Sequence, residues 1–256
     1  MKKFFITLLM ALAPVTASAA GGAGVPLDSF DADLTDKASL QRGMQTFVNR
    51  CMGCHEAGYQ RFERAAQDLD VPNELVEQYL IFDPEVKIGE HMKNAMPKEV
   101  AAGWFGAPPP DLTLEARLRG GDWVYTYLRS FYMDENRPWG VNNAVFPDVG
   151  MPNVLEDLQG KVALHCTPAE LAHGGEGEID PLTGKTMGGC LTVAESGSQS
   201  TEEFDKTVYD LVNFMTYMGE PSRMESESLG TKVLIFLAIL FVFAFALKKE
   251  YWKDVH

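Results

Sequence analysis

The stretch LGTKVLIFLAILFVFAFAL, residues 229–247, constrains this chain more than any other, because nothing from Val233 to Leu247 carries a polar side chain. As a helix its nineteen residues rise roughly 29 Å, the thickness of a bilayer's hydrocarbon core. A helix buried in a soluble core has no comparable need to exclude every polar group, so the segment reads as a single membrane span. Lys248 and Lys249 follow at once, then Tyr251, Trp252 and Lys253. Basic residues mark the cytoplasmic flank of a span, and Tyr and Trp suit the interface. The expected topology is therefore N-terminus out and C-terminus in.

The other end agrees. MKKFFITLLMALAPVTASAA begins with two lysines, continues with a short apolar run and closes on Ala17-Ser18-Ala19, an A-x-A cleavage pattern. Residues 1–20 thus read as a secretory signal peptide, residues 21–224 as an exported domain, and 225–256 as linker, anchor and short tail. In a bacterium this places the domain in the periplasm and the anchor in the inner membrane. The whole chain carries a net charge of −14. Signal and anchor regions are each basic by two charges, so the exported part holds about 18 net negative charges. Nucleic acid and anionic lipid make poor partners for such a surface; a basic protein makes a good one.

The chain has four cysteines, Cys51, Cys54, Cys166 and Cys190. In an oxidising compartment Cys166 and Cys190, flanking a Gly-, Glu- and Ser-rich stretch, are expected to staple a loop as a disulfide. A metal site built with His165 and His173 is the rival, although the close ligand pairs of such sites are missing.

Helical signals dominate the domain and strand signals are sparse. Leu40, Met44, Phe47, Val48 and Cys51 recur at helical spacing behind a cap at Thr35 or Asp36. Gly43 inside that helix costs propensity and points to close contact with another helix. Residues 62–82 read as helix broken at Pro72, 95–111 as loop because of Pro97 and Pro108–Pro110, and 112–132 as helix that tolerates or breaks at Gly120-Gly121. A Pro-, Gly- and Asn-rich segment and a polar excursion over 160–200 follow. Ser200-Thr201-Glu202-Glu203 is a capping box, and Phe204, Val208, Leu211, Val212 and Met215 form an apolar stripe behind it.

The chemistry gathers at NRCMGCHEAGYQ, residues 49–60. A zinc site would need a second close ligand pair, which the sequence lacks. A redox dithiol normally follows a strand in a βαβ setting, whereas this pair ends an amphipathic helix. The third reading uses all three residues: Cys51 and Cys54 form thioether bonds to the vinyl groups of one haem c, and His55 ligates its iron. Export fits that chemistry.

A sixth ligand then decides the function. A vacant position suits peroxide or gas chemistry; methionine closes the iron and raises its potential for electron transfer. Of the twelve methionines, Met96-Pro97 and Met151-Pro152 lie on stiff non-helical straps. Spacing favours Met151 and leaves Met96 open; His91, His165 or His173 would give a lower potential.

RGMQTFVNRCMGCH, APPPDLTLEARLRGG, the FP-x-x-GMP strap and DLVNFM…GEP before a C-terminal span together resemble the cytochrome c1 family, the haem-bearing subunits of cytochrome bc1 complexes. The resemblance runs through nearly the whole mature chain. It implies a mainly α, class I cytochrome c-like haem domain with loop insertions and one transmembrane helix, its N-terminal helix crossing that of residues 202–218. It also implies Met151 as distal ligand, Pro109 and Pro110 along the haem edge, Arg119 on a haem propionate and Trp123 against the macrocycle. Implied partners are cytochrome b, the Rieske iron–sulfur protein as electron donor and a c-type cytochrome as acceptor. A free-standing membrane-anchored haem protein or a haem peroxidase is the alternative.

Overall fold

Asp36 caps the first helix, its side chain accepting from Ser39 N at 3.0 Å. Helix α1, Lys37–Arg50, turns Leu40, Met44, Phe47 and Val48 into the core. The structure, a computed structural model, describes residues 25–167, 170–171 and 190–253. The expected signal peptide and His173 lie outside the described residues.

Next come β1 (Ala57–Arg61), α2 (Phe62–Asp68) and α3 (Asn73–Tyr79), the break between the two helices falling at Pro72 as expected. β2, His91–Met92, pairs antiparallel with β1. The stretch expected to be loop over 95–111 contains a helix instead, α4, Lys98–Phe105. Its sequence, KEVAAGWF, holds no proline. Pro97 stands at the N-cap, where a missing N–H costs nothing, and Gly106 ends the helix at φ +81°. The prolines therefore bound this helix rather than forbid it.

Helices α5 (Glu115–Arg119) and α6 (Gly121–Arg129) form the predicted broken pair. Gly120 between them has φ +91°, a conformation that favours glycine. The hairpin β3 (Phe131–Met133) and β4 (Val141–Asn143) leads into the Met151 strap, then to α7 (Glu156–Gln159). The polar excursion supplies an unforeseen hairpin, β5 (Gly160–Leu164) with β6 (Leu191–Ser196), and Cys166 and Cys190 are bonded beside it. That bond uses up both thiols that the rival metal site would have needed.

Helix α8, Thr201–Gly219, starts at the predicted capping box: Glu203 N donates to Ser200 Oγ and Ser200 N to Glu203 Oε2, at 3.3 and 2.8 Å. It crosses α1 so closely that a Cβ on Gly43 would lie 2.0 Å from the Asp210 carbonyl oxygen. Beside this crossing Arg42 donates twice to the buried Asp210, and Phe47 packs on Phe214. Helix α9, Arg223–Tyr251, begins directly after Glu220-Pro221-Ser222, so the expected polar linker is mostly helical. Ile235, Phe236, Phe241 and Phe243 are all more than half exposed on it, a surface suited to lipid rather than water. Among the described residues α9 alone is long and apolar enough to cross a membrane.

A buried ionic knot joins three parts of the domain. Arg129 at the end of α6 donates to Asp28 of the N-terminal segment at 3.1 Å and to Asp205 of α8 at 2.9 Å, its guanidinium 4.2 Å from the Tyr125 ring centre. Its side chain is 3% exposed. Removing one member of a buried charge group strands the others, at a cost of about 3–5 kcal/mol. Arg129→Met should lose that much stability in denaturant unfolding. Adding Asp28→Asn and Asp205→Asn should recover part of it; a triple variant weaker than the single one would contradict this account.

Candidate functional site

Helix α1 ends at Arg50, and the turn that follows delivers Cys51, Cys54 and His55 into one cavity of about 410 Å³. The amides of Cys54 and His55 both donate to the Cys51 carbonyl, which keeps the turn tight. The two cysteine sulfurs are free, not bonded to each other. Burial, reinforced by the neighbouring Cys54 and opposed by Arg50, pushes the Cys51 thiol up to about 12, so it stays protonated.

His55 is 9% exposed. Its Nδ1 lies 2.8 Å from the Pro110 carbonyl oxygen, which can only accept, so Nδ1 carries the proton. Burial is the main influence on this imidazole and lowers its pKa, keeping the ring neutral, with the Pro110 contact acting the other way. A neutral ring protonated at Nδ1 has its lone pair on Nε2, the form a metal takes, and the carbonyl fixes the ring's orientation.

Most of the remaining lining is apolar, with Arg50, Glu115 and Arg119 as its charged members. Pro108, Pro109, Pro110 and Leu112 come from the segment between α4 and α5, Trp123, Val124, Tyr127 and Leu128 from α6, and Leu211 and Met215 from α8. Val149, Gly150, Met151 and Pro152 come from the strap after β4. Cavities of roughly 300–1,000 Å³, mostly apolar with a few placed polar groups, are of the kind that hold cofactors.

Each residue expected at the site lines this cavity: Cys51, Cys54, His55, Pro109, Pro110, Arg119, Trp123 and Met151. Arg119 is not a loose surface charge. Its Nε donates to Glu115 at 2.8 Å, and its guanidinium sits 4.3 Å from the Trp123 ring centre and 5.9 Å from that of Phe146. Met96 lines a separate pocket of about 30 Å³ that shares Cys54, Pro108 and Pro109 with the cavity. His91 and His165 are absent from the lining; His165 is exposed, paired with Thr192 at 2.6 Å.

Sequence reasoning missed what holds the strap. Asn143 Oδ1 accepts from Val145 N and Phe146 N, Asn142 Oδ1 from Asp148 N, and Arg137 donates to the carbonyls of Asp148 and Val149. It also missed Tyr127, whose hydroxyl donates to Met151 Sδ at 3.4 Å, and Glu115. The pair Asn142-Asn143 ahead of Pro147 was an available turn signal.

A cavity that gathers two thiols and a neutral imidazole from one turn, and a thioether from a separately anchored strap, has the chemistry of a c-type haem pocket. Together with an exposed apolar helix long enough to cross a membrane, it fits the class of membrane-anchored haem proteins.

Comparison with known proteins narrows the class. The family described as the Cytochrome C1 family matches residues 29–163 and 187–255, the gap lying inside the 160–200 excursion. Cytochrome c1 of Allochromatium vinosum is 47% identical over 256 residues, spanning all of both chains. A protein of Nitrosomonas europaea named ammonia monooxygenase gamma subunit is 41% identical over 252 residues, 98% of each chain. Mitochondrial cytochrome c1 of Saccharomyces cerevisiae is 25% identical over 255 residues, covering 90% of this chain and 70% of its own. The chain belongs to the cytochrome c1 family. It is accordingly an electron-transfer cytochrome of the bc1 type, mainly α, whose family carries covalently attached haem c.

Proposed function

We propose that Cys51 and Cys54 bind one haem c through thioether bonds, that His55 and Met151 are its axial ligands, and that the protein relays electrons from the Rieske iron–sulfur protein to a c-type cytochrome within a bc1 complex. The observation that carries this reading is the meeting of Met151 with the Cys51, Cys54 and His55 group in one apolar cavity. When bound, the haem supplies a one-electron iron couple. The chain's residues do the rest. Cys51 and Cys54 would hold the haem, each thiol adding its S–H across one vinyl group, Pro110 keeps the His55 lone pair on Nε2, and the Met151 strap offers a thioether from an anchored backbone. Arg119, held by Glu115, offers a positive charge for a propionate; Pro109, Pro110 and Trp123 exclude water from the macrocycle.

With Met151 as its ligand the sixth position would be filled, which would argue against peroxidase chemistry, since that needs the position open. The acidic exported domain would speed encounter with a basic acceptor, an effect that weakens with salt. Lys248, Lys249 and Lys253 after the span favour a cytoplasmic C-terminus, leaving residues 21–224 as the periplasmic haem domain beyond a signal peptide of residues 1–20. Anchored by 229–247, the domain would stand at fixed height beside cytochrome b.

Mild detergent extraction of the native membrane, followed by affinity capture of this chain, tests the assignment. Co-elution of a b-type cytochrome and an iron–sulfur protein, with ubiquinol-dependent reduction of the c-type haem, is the expected result. A haem-loaded chain that elutes alone and is not reduced by ubiquinol would leave the free-standing alternative.

A further inference from the structure

We propose that Tyr127 is a positioning residue for Met151, its hydroxyl holding and polarising the thioether that the site presents to the iron. The inference rests on Met151 being the distal ligand.

The hydroxyl lies 3.4 Å from Met151 Sδ. The sulfur has no hydrogen, so the tyrosine is the donor. Both partners are held in place by contacts of their own and by one they share. The Tyr127 ring stacks on Trp123 with centres 4.9 Å apart and planes 10° apart, and it meets Phe131 edge-on at 5.2 Å. The Tyr127 carbonyl accepts from Asn143 Nδ2 at 2.8 Å. The same Asn143 holds the strap through Val145 N and Phe146 N, so one buried side chain ties the donor's helix to the acceptor's loop. A hydroxyl on a clamped ring loses little freedom when it makes this bond, and its direction is set before any cofactor enters.

The electronic consequence follows from the sulfur's two lone pairs. A hydrogen bond to one withdraws density and weakens donation through the other. Weaker donation disfavours the oxidised iron more than the reduced iron. Tyr127 therefore raises the reduction potential and makes the Met151 bond easier to displace in the oxidised state. Phenylalanine at this position keeps the ring, the stack and the edge contact, and removes the donor alone.

Tyr127→Phe should fold and bind haem like the parent, with a lower midpoint potential. Imidazole should displace Met151 from the oxidised protein about fivefold less readily, the worth of one ordinary hydrogen bond. The readouts are a redox titration and an imidazole titration of the weak far-red band that reports thioether–iron ligation. If Tyr127 only packs, Tyr127→Phe will match the parent in both, and the inference is overturned; a raised potential overturns it equally. Should Tyr127→Phe fail to accumulate, Asn143→Asp, which alters the shared anchor while leaving the hydroxyl, serves as the second variant. It should broaden or shift the far-red band, and an unchanged band counts against the proposal. Met151→Leu separates the two levels. If the band survives that substitution, Met151 is not the ligand and the site reading itself falls; if it vanishes while Tyr127→Phe stays parental, only the role of Tyr127 falls.

Discussion

Gly43→Val should abolish the folded haem domain rather than merely weaken it. A Cβ at this position would sit 2.0 Å from the Asp210 carbonyl oxygen, 2.7 Å from its carbon and 2.7 Å from Phe214 Cβ. Two of those atoms are backbone, so no rotamer change relieves the clash; α1 and α8 must separate. Separation costs more than the local contact. It pulls Arg42 from Asp210, opens the Phe47–Phe214 packing and shifts Leu211 and Met215 relative to the turn that bears Cys51 and Cys54. Overpacking alone costs about 1–3 kcal/mol and sometimes more, against a total stability of about 5–15 kcal/mol. We expect a loss beyond about 3 kcal/mol, read as the near absence of covalently haem-stained protein in membranes, with Gly43→Ala intermediate. Gly103→Ala in α4, where a Cβ meets nothing within 4 Å, should be neutral or mildly stabilising. Parental haem content and melting in Gly43→Val would show that the helices do not cross as described.

That glycine illustrates what the sequence made legible. A glycine within an otherwise regular apolar period signals a close helix contact without saying which helix; the partner, α8, had its own signals in the Ser200–Glu203 capping box and the stripe from Phe204 to Met215. Helix periodicity and capping are written within a few residues of one another, so α1, α8, the α2–α3 break and the Gly120 break were all readable. Helix α4 was misread because its flanking prolines were weighed as breakers and its eight residues are too few for periodicity to outvote them. The three two-stranded sheets among the described residues rest on pairing between segments, and strands of two to six residues leave little alternation to detect.

The site divides along the same line. Cys51, Cys54 and His55 lie within five residues of one another, so the C-x-x-C-H pattern that favours haem attachment over a zinc site or a redox dithiol is local and readable. The Asn142, Asn143 and Arg137 bonds that shape the strap, and the approach of Tyr127 to Met151, arise from loop residues brought together by folding, with no period to announce them. Arg129 is similar: one more basic residue at a helix end in the sequence, and in the fold the shared partner of two carboxylates, Asp28 lying 101 positions before it and Asp205 lying 76 after it.

Met151→Leu is the substitution with the largest expected effect on function. Leucine fills a similar volume and keeps the wall apolar, so covalent haem and the fold should survive, while the thioether is lost. The far-red band of the oxidised protein should disappear and the midpoint potential fall on the order of 0.2 V, a fraction of the roughly 0.8 V range that axial ligands command. In the proposed relay a lower potential makes reduction of this site less favourable, so ubiquinol-dependent electron transfer should drop. Met96→Ala is the decisive companion. Sequence spacing left Met96 open because it too precedes a proline on a non-helical strap. In the fold, Met96 faces a pocket of about 30 Å³ lined also by Asn94, Lys98 and Asp111, beyond the Pro108 and Pro109 wall that the large cavity uses. To reach the cavity it would have to displace that wall, and with it the segment whose Pro110 carbonyl orients His55. Met96→Ala should therefore leave band and potential at parental values. Loss of the band in Met96→Ala with its retention in Met151→Leu would reverse the ligand assignment, and the Tyr127 contact would then have no bearing on the iron.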